Sequence, residues 1–245
     1  MTPSIMLKLI DVSFFYNKGL DAEVRALSDI NITFNKGEFI SIIGPNGGGK
    51  STLAHLLNGL ILPHEGEVLV DGVSTAQEEN LFPIRQKVGL LFENPDSQIV
   101  AGIVEEDIAF GPENLGLDRE EIAKRITDSL RAVGMEAYRA YEPHTLSAGQ
   151  KQKVALASVL AMQPSYLVLD EPTAYLDPDS RLEVLNLLKN INSQDIAVIN
   201  ITHNREEISY SQRVIVIENS RLVFDGSVRE FFGNGQILKT TGFED

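Results

Sequence analysis

The chain has no cysteine in its 245 residues. That excludes disulfides, thiolate metal sites and cysteine nucleophiles, and it suits a reducing compartment. Positive charge is also scarce. Lys and Arg number 21 against 35 Asp and Glu, for a formal net charge of −14, which argues against a broad basic face for nucleic acid. Most of these carboxylates read as solvated surface. No apolar run approaches the roughly 20 residues of a membrane-spanning helix. The N-terminus, MTPSIMLKLID, lacks the basic stretch and apolar core of a signal peptide. Internal repeats and low-complexity linkers are missing as well. What is present, with 43% apolar residues, suits one large domain or a core with one inserted subdomain. A role at a membrane would need another chain to bring this one there.

The most informative stretch is residues 39–53, FISIIGPNGGGKSTL. Phe39 to Ile43 have the length and composition of a buried strand. Gly44, Pro45, Asn46, Gly47, Gly48, Gly49, Lys50 and Ser51 then satisfy G-x-x-x-x-G-K-[ST], and Thr52-Leu53-Ala54 opens an apolar-periodic helix. Strand, glycine loop and helix is the context that the phosphate-loop motif demands. Glycines permit positive φ and turn backbone N–H groups inward, so the loop becomes an anion nest over a helix N-terminus. Lys50 is placed to reach β- and γ-phosphates, and the Ser51 hydroxyl to hold Mg²⁺. A simple glycine-rich turn would not call for the lysine, the hydroxyl and both flanks together. The expectation is a nucleotide site, which the acidic net charge does not oppose because the nest acts locally.

Around this loop, alternation predicts strands over residues 6–15 and 27–34, with a polar loop between them. Asn35-Lys36-Gly37 reads as a hairpin turn into the phosphate-loop strand. A helix over 50–60 follows, then a short strand over 67–70 with an Asp71-Gly72 turn. Residues 88–92 read as a buried strand, after which the pattern is helical to about Met162. Asp118 to Glu121 has capping-box character, and residues 147–162 form a second helix. Strands return at 166–169, 197–201 and 214–217, with a helix at 179–188. The fold class is therefore α/β. Residues 1–92 and 164–226 form a core with an antiparallel strand layer, and 93–163 form a helical insert. Residues 227–245 make a short C-terminal tail; 226–232 reads as a short helix at the boundary and 233–245 as mobile.

Residues 166–171, YLVLDE, are an apolar strand ending in two carboxylates. Asp170 can hold Mg²⁺ opposite Ser51, and Glu171 can orient and polarise an attacking water as general base. Adjacent acids also occur in ordinary capped turns, and a lone histidine is commonly a satisfied turn residue. Beside a phosphate loop, however, Asp170 and Glu171 are expected to place Mg²⁺ and water at one γ-phosphate. His203, just after the strand at 197–201, is expected to hydrogen-bond that phosphate. Leu146-Ser147-Ala148-Gly149-Gln150 opens a helix, with Ser147 as a natural N-cap.

With these residues the chain resembles the ATP-binding-cassette (ABC) ATPases over nearly its whole length. Residues 146–150 stand where that family has its Leu-Ser-Gly-Gly-Gln signature. The resemblance implies a P-loop NTPase (RecA-like) core using ATP and Mg²⁺, with Tyr16 stacked on adenine and residues 44–52 around the phosphates. It also implies Glu93 as Mg²⁺ ligand and γ-phosphate sensor, Leu176-Asp177 in a dimer-contact loop, and His203 as the switch. Two cassettes would pack head to tail, each ATP lying between one phosphate loop and Ser147, Ala148, Gly149 and Gln150 of the other cassette.

Residues 92–117, FENPDSQIVAGIVEEDIAFGPENLGL, resemble more narrowly the energy-coupling-factor ATPases of vitamin and metal-ion importers. This implies a peripheral subunit on the cytoplasmic face of the cell membrane. Its partners would be a second ABC ATPase subunit, alike or related, a transmembrane scaffold protein (EcfT-like) and a small substrate-binding membrane protein. Residues 96–104 would form a short helix and a groove for coupling helices. One competing expectation is a cassette acting on DNA or ribosomes, which its acidity and lack of a coiled coil oppose. Another is an ATP-binding partner that leaves hydrolysis to its dimer mate.

Several positions depart from the family pattern. Glu93 stands where glutamine is usual and adds negative charge beside Asp170 and Glu171. It is expected to slow hydrolysis or displace its pH optimum, so Glu93→Gln should change the turnover or the pH profile of the assembled complex. Gln98 belongs to the Asn-Pro-Asp-x-Gln run and is not assigned the sensor role. Ala148 replaces a glycine, Lys153 an arginine and Gly48 a serine, which hints at one member of a non-identical pair.

Overall fold

The computed structural model describes residues 6–243. Residues 1–5 and 244–245, parts of the N-terminus and the tail considered above, lie outside the described residues. From the N-terminal side run β1 (Met6–Tyr16), β2 (Val24–Asn35), β3 (Phe39–Ile43), α1 (Lys50–Leu57), β4 (Glu65–Val70), β5 (Val73–Ser74), α2 (Glu78–Lys87) and β6 (Val88–Leu91). A 3₁₀ turn at Pro95–Ser97 leads to α3 (Val104–Asn114), α4 (Arg119–Ala132) and α5 (Ala148–Leu160). The chain then alternates through β7 (Tyr166–Asp170), α6 (Pro178–Asn192), β8 (Ala197–Ile201), α7 (Arg205–Ile208), β9 (Arg213–Glu218) and β10 (Arg221–Ser227). It closes with α8 (Val228–Phe232) and α9 (Gly235–Thr241).

Among the described residues the strands form an antiparallel sheet in the order β2-β1-β4-β5 and a second sheet in the order β10-β9-β3-β8-β7-β6. In the second sheet all neighbours are parallel except the edge strand β10. Strands β3, β7 and β8 are buried at every position, as expected where both faces of a parallel sheet are covered. Their period of two divides them between two cores. Ile40, Ile42, Val168 and Ile199 pack with Leu53, Leu56 and Leu57 of α1 beneath the antiparallel sheet. Phe39, Leu167, Leu169 and Val198 pack with α5 and α6 on the other face. Because β3, β7 and β8 are parallel, Gly44, Glu171 and Thr202 leave the sheet at the same edge, where ligands bind in such sheets.

The structure corrects several expectations. Asn35 to Gly37 do not close a hairpin, since β2 and β3 belong to different sheets. Wholly apolar β3 pairs with β8 and β9 in the parallel layer, whereas β2 alternates and pairs with β1. Arg213 stitches the seam, donating to Thr33 O at 2.9 Å and to Glu38 at 3.3 Å. Helix α1 stops at Leu57, short of residue 60, before Gly59 turns left-handed at φ 69. Asp118 caps α4 by accepting from Glu121 N at 2.9 Å. The return half of a capping box is not made, because Glu121 Oε1 accepts from Arg125 Nε instead, at 2.8 Å. The expected tail at 233–243 is not loose. It forms α9, and Ile237, Leu238 and Phe243 pack against buried Phe231. Helix α2 and strand β10 carry no apolar periodicity that would announce them. The first carries Pro83 and polar surface, and every position of the second is at least partly exposed.

Residues 96–104 do not form the expected short helix either. After the 3₁₀ turn the chain runs open to Val104. The cause is Asp107, which is 5% exposed. Its Oδ1 accepts from Val100 N (2.8 Å) and Ala101 N (3.2 Å), and its Oδ2 accepts from Ser158 Oγ (2.8 Å). One buried carboxylate thus holds the open stretch to α3 and α5. Hydrogen bonds to charged groups contribute about 1.5–3 kcal/mol each and overlap when shared. Asp107→Ala is therefore expected to lower unfolding stability by about 2–3 kcal/mol, read as a fall in the urea midpoint at constant slope.

Candidate active site

The loop between β3 and α1 needs its glycines at two positions. Gly44 has φ 147 and Gly49 φ 105. A Cβ on Gly44 would lie 1.9 Å from Ile217 O, and one on Gly49 would lie 2.2 Å from Ala26 O. Gly49 is the N-cap of α1, without a side-chain cap or an acid in the first turn, so the leading N–H groups are left to an incoming anion. Lys50, buried, curls over the loop and donates to Gly44 O at 2.9 Å and Pro45 O at 3.0 Å. Burial lowers its pKa, against the opposing pull of Glu171 and Asp170.

Ser51, exposed on the first turn of α1, stands close enough to Asp170 at the end of β7 to act on its carboxyl. Burial pushes the Asp170 carboxyl up, while Ser51, His55 and Lys50 act in the other direction. Glu171 takes the left-handed conformation, with φ 49, a strained choice for a non-glycine residue that tends to cluster at functional sites. Its N–H donates to Ile201 O at 3.0 Å, and its Oε1 lies 2.8 Å from His203 Nε2. The ends of β7 and β8 therefore hold the Glu171 carboxylate and the His203 imidazole as a pair. A hydroxyl beside a carboxylate fits Mg²⁺, a hard cation that takes one or two protein carboxylates and completes its shell with phosphate oxygens and water. No group of three or more His, Asp or Glu side chains placed to hold a metal ion occurs among the described residues.

Tyr16, Asn46, Gly47, Lys50, Ser51 and Glu171 line one cleft of about 400 Å³, with Glu93 at the same wall. Pro45, Gly48 and Thr52 belong to the same loop and helix start. The Tyr16 hydroxyl is 3.1 Å from Thr52 Oγ1, and its ring stands edge-on to Phe14 at 5.0 Å. Glu93 Oε1 accepts from the Tyr175 hydroxyl at 3.0 Å, a bond that raises the phenol's pKa. Gln98 is fixed to β6, accepting from Phe92 N and donating to Leu90 O.

The signature residues lie elsewhere. Ser147 caps α5 in a capping box with Gln150, Ala148 is exposed, and Gly149 is buried. Ser147, Gly149 and Gln150 line a separate cavity of about 300 Å³ with Tyr138, Lys153 and Glu183. One chain thus brings Tyr16, residues 44–52, Glu93, Asp170, Glu171 and His203 to one edge and does not add residues 147–150 to their cleft. Of the two residues expected in a dimer-contact loop, Asp177 is occupied as the cap of α6 and Leu176 is 9% exposed within the core.

Sequence reasoning missed two residues of this region. Tyr175 reaches Glu93 across 82 positions, which no local pattern signals. Glu207, 1% exposed, accepts from Thr173 and from Asn200 (3.0 Å), anchoring the loop after Glu171. Its place in a polar run after His203 gave no hint of burial. On another face, Leu60, Phe82, Val100, Phe110 and Met162 line a mainly apolar groove of about 500 Å³. No helix among the described residues is long and apolar enough to cross a membrane.

A parallel sheet, a phosphate loop and a paired carboxylate and histidine at one sheet edge define a P-loop ATPase of the cassette kind. The family model described as "ABC transporter" matches residues 27–174, and the chain belongs to that family. More narrowly, it is 50% identical over 242 residues to the energy-coupling factor transporter ATP-binding protein EcfA1 of Caldanaerobacter subterraneus subsp. tengcongensis, covering 98% of this chain and 87% of that protein. It is 42% identical to the cobalt import ATP-binding protein CbiO of Syntrophus aciditrophicus, covering 97% and 84%. Among solved structures, cbiO1 from Clostridium perfringens, described as part of the ABC transporter complex cbiONQ, superposes with a TM-score of 0.84 at 34% identity, covering 97% and 94%. A dimeric post-hydrolysis state of the ATP-binding cassette MJ0796 bound to ADP and Pi gives 0.82 at 30%, covering 91% and 99%.

Proposed function

We propose that this chain is the ATP-hydrolysing subunit of an energy-coupling-factor importer, working as one of two head-to-tail cassettes on the cytoplasmic face of a membrane. The observation that carries this reading is the division of the site. The phosphate loop, Asp170 and the Glu171–His203 pair share one edge, whereas Ser147, Gly149 and Gln150 line a cavity of their own. A second cassette would supply the missing wall.

In this reading the loop amides, the N-terminus of α1 and Lys50 hold the phosphates of ATP, and Tyr16 faces the base. Ser51, Asp170 and Glu93 would hold Mg²⁺, which when bound neutralises charge on the β- and γ-oxygens. Glu171 accepts the proton of the attacking water as the γ-phosphoryl transfers to it, giving ADP and phosphate. His203 orients the Glu171 carboxylate through Nε2. The apolar groove around Phe82 and Val100, 54% and 69% exposed, suits a coupling helix of a transmembrane scaffold (EcfT-like). The substrate would be bound by a further small membrane protein, a vitamin or metal-ion binder. The names of EcfA1 and CbiO relatives support the importer class. Pull-down of the tagged chain from detergent-solubilised membranes is expected to bring down a polytopic scaffold, a small membrane binder and a second cassette. Recovery with ribosomal or DNA-bound partners alone would leave the ATPase standing and overturn the importer.

A further inference from the structure

Two loops converge on the start of α5. The loop after β6 carries Glu93 and, three residues on, Asp96, whose Oδ1 lies 2.7 Å from Lys151 Nζ on the first turns of α5. The loop after Glu171 carries Tyr175 and then Leu176, whose Cδ2 is 4.0 Å from where a Cβ on Gly149 would stand. Both loops are thus anchored on the same helix end, which sets the distance between Tyr175 and Glu93. Tyr175 is 65% exposed, so the core does not need it. Its hydroxyl is nonetheless spent on Glu93 Oε1 at 3.0 Å.

We propose that Tyr175 is a positioning residue for Glu93: its hydroxyl holds one carboxylate oxygen and leaves the other to face the cleft and the cation of a bound nucleotide. The proposal rests on the nucleotide reading of the cleft. Glu93 carries a charge where an amide would carry none, close to Asp170 and Glu171. A phenol donor offsets part of that charge through a charge-assisted hydrogen bond, and it fixes a side chain that would otherwise rotate freely at an exposed position. Outer partners of metal-binding carboxylates commonly change metal affinity by about 10–100-fold when removed. At this exposed site the lower end of that range is expected.

The test is a fluorescence titration of the full chain with N-methylanthraniloyl-ATP, in MgCl₂ and again in EDTA. Tyr175→Phe is expected to weaken binding about tenfold in Mg²⁺ and to leave binding in EDTA at the wild-type level. In a Glu93→Ala background the same substitution should have no further effect. A Tyr175→Phe variant equal to or tighter than wild type in Mg²⁺ overturns the proposal. So does an equal loss in EDTA, or a loss that persists without Glu93, because a general structural role would give either. Lys50→Ala is titrated alongside. If the wild type shows no saturable binding that Lys50→Ala removes, the nucleotide reading itself falls. If that difference is present and Tyr175→Phe behaves as wild type, only the role of Tyr175 falls.

Discussion

Glu171→Gln is expected to cut ATP turnover by about 10²–10⁴-fold, the usual contribution of a positioned general base, while nucleotide affinity stays near the wild-type level. The substitution is nearly isosteric, and the left-handed backbone at φ 49 is as accessible to glutamine as to glutamate. An amide oxygen can still accept from His203 Nε2, which lies 2.8 Å from Oε1. What disappears is the capacity to take a proton. Phosphate release and nucleotide titration on the same preparation separate the two quantities. With hydrolysis stopped, ATP should also hold the two cassettes together, giving a dimer by size exclusion in ATP and a monomer in ADP. A parallel loss of binding would mean that Glu171 serves the architecture of the edge rather than the reaction. His203→Ala should produce a smaller loss of turnover than Glu171→Gln, since it removes the orienting partner and leaves the base.

The parts of this site that could be read from sequence are those encoded by short spacing. The phosphate loop declares itself through eight consecutive positions, and Asp170-Glu171 through an apolar strand that must end where the carboxylates begin. Strands β3 and β8 are bounded by the sequence because both are buried on two faces and their largely apolar runs end at Gly44 and Thr202. The assignment of Asn35 to Gly37 to a hairpin failed for the opposite reason. Local pattern says that a turn is present, while the sheet that each flanking strand joins is decided by partners far along the chain, β8 and β9 for one and β1 for the other. The same limit hid α9. Its apolar residues are few, and they make sense only against Phe231 and the strands beneath it. Tyr175 and Glu207 were invisible for that reason too, because each acts on a residue brought near by the fold. The separation of Ser147 to Gln150 from the cleft followed from family resemblance and not from spacing.

Gly49→Ala is expected to destabilise the fold by about 2–6 kcal/mol, the sum of backbone strain and overpacking, and to abolish nucleotide binding. A φ of 105 costs an L-residue about 1–3 kcal/mol wherever it occurs. The new methyl would then stand 2.2 Å from Ala26 O and 2.8 Å from Leu27 Cδ2. Ala26 lies within β2, whose neighbour Leu27 is paired with Phe14 of β1, so its carbonyl cannot retreat without disturbing the ladder. The strain must instead be relieved by moving the loop, and with it the N-terminal N–H groups of α1 that the phosphates need. Gly47 supplies the control. It too has a positive φ, 76, but a Cβ there meets nothing within 4 Å, so Gly47→Ala should cost about 1–2 kcal/mol from the left-handed backbone alone and keep measurable affinity. Urea midpoints and nucleotide titrations of the two variants distinguish close approach from backbone conformation. Equal losses at both positions would show that φ governs the loop and that its contact with β2 is incidental.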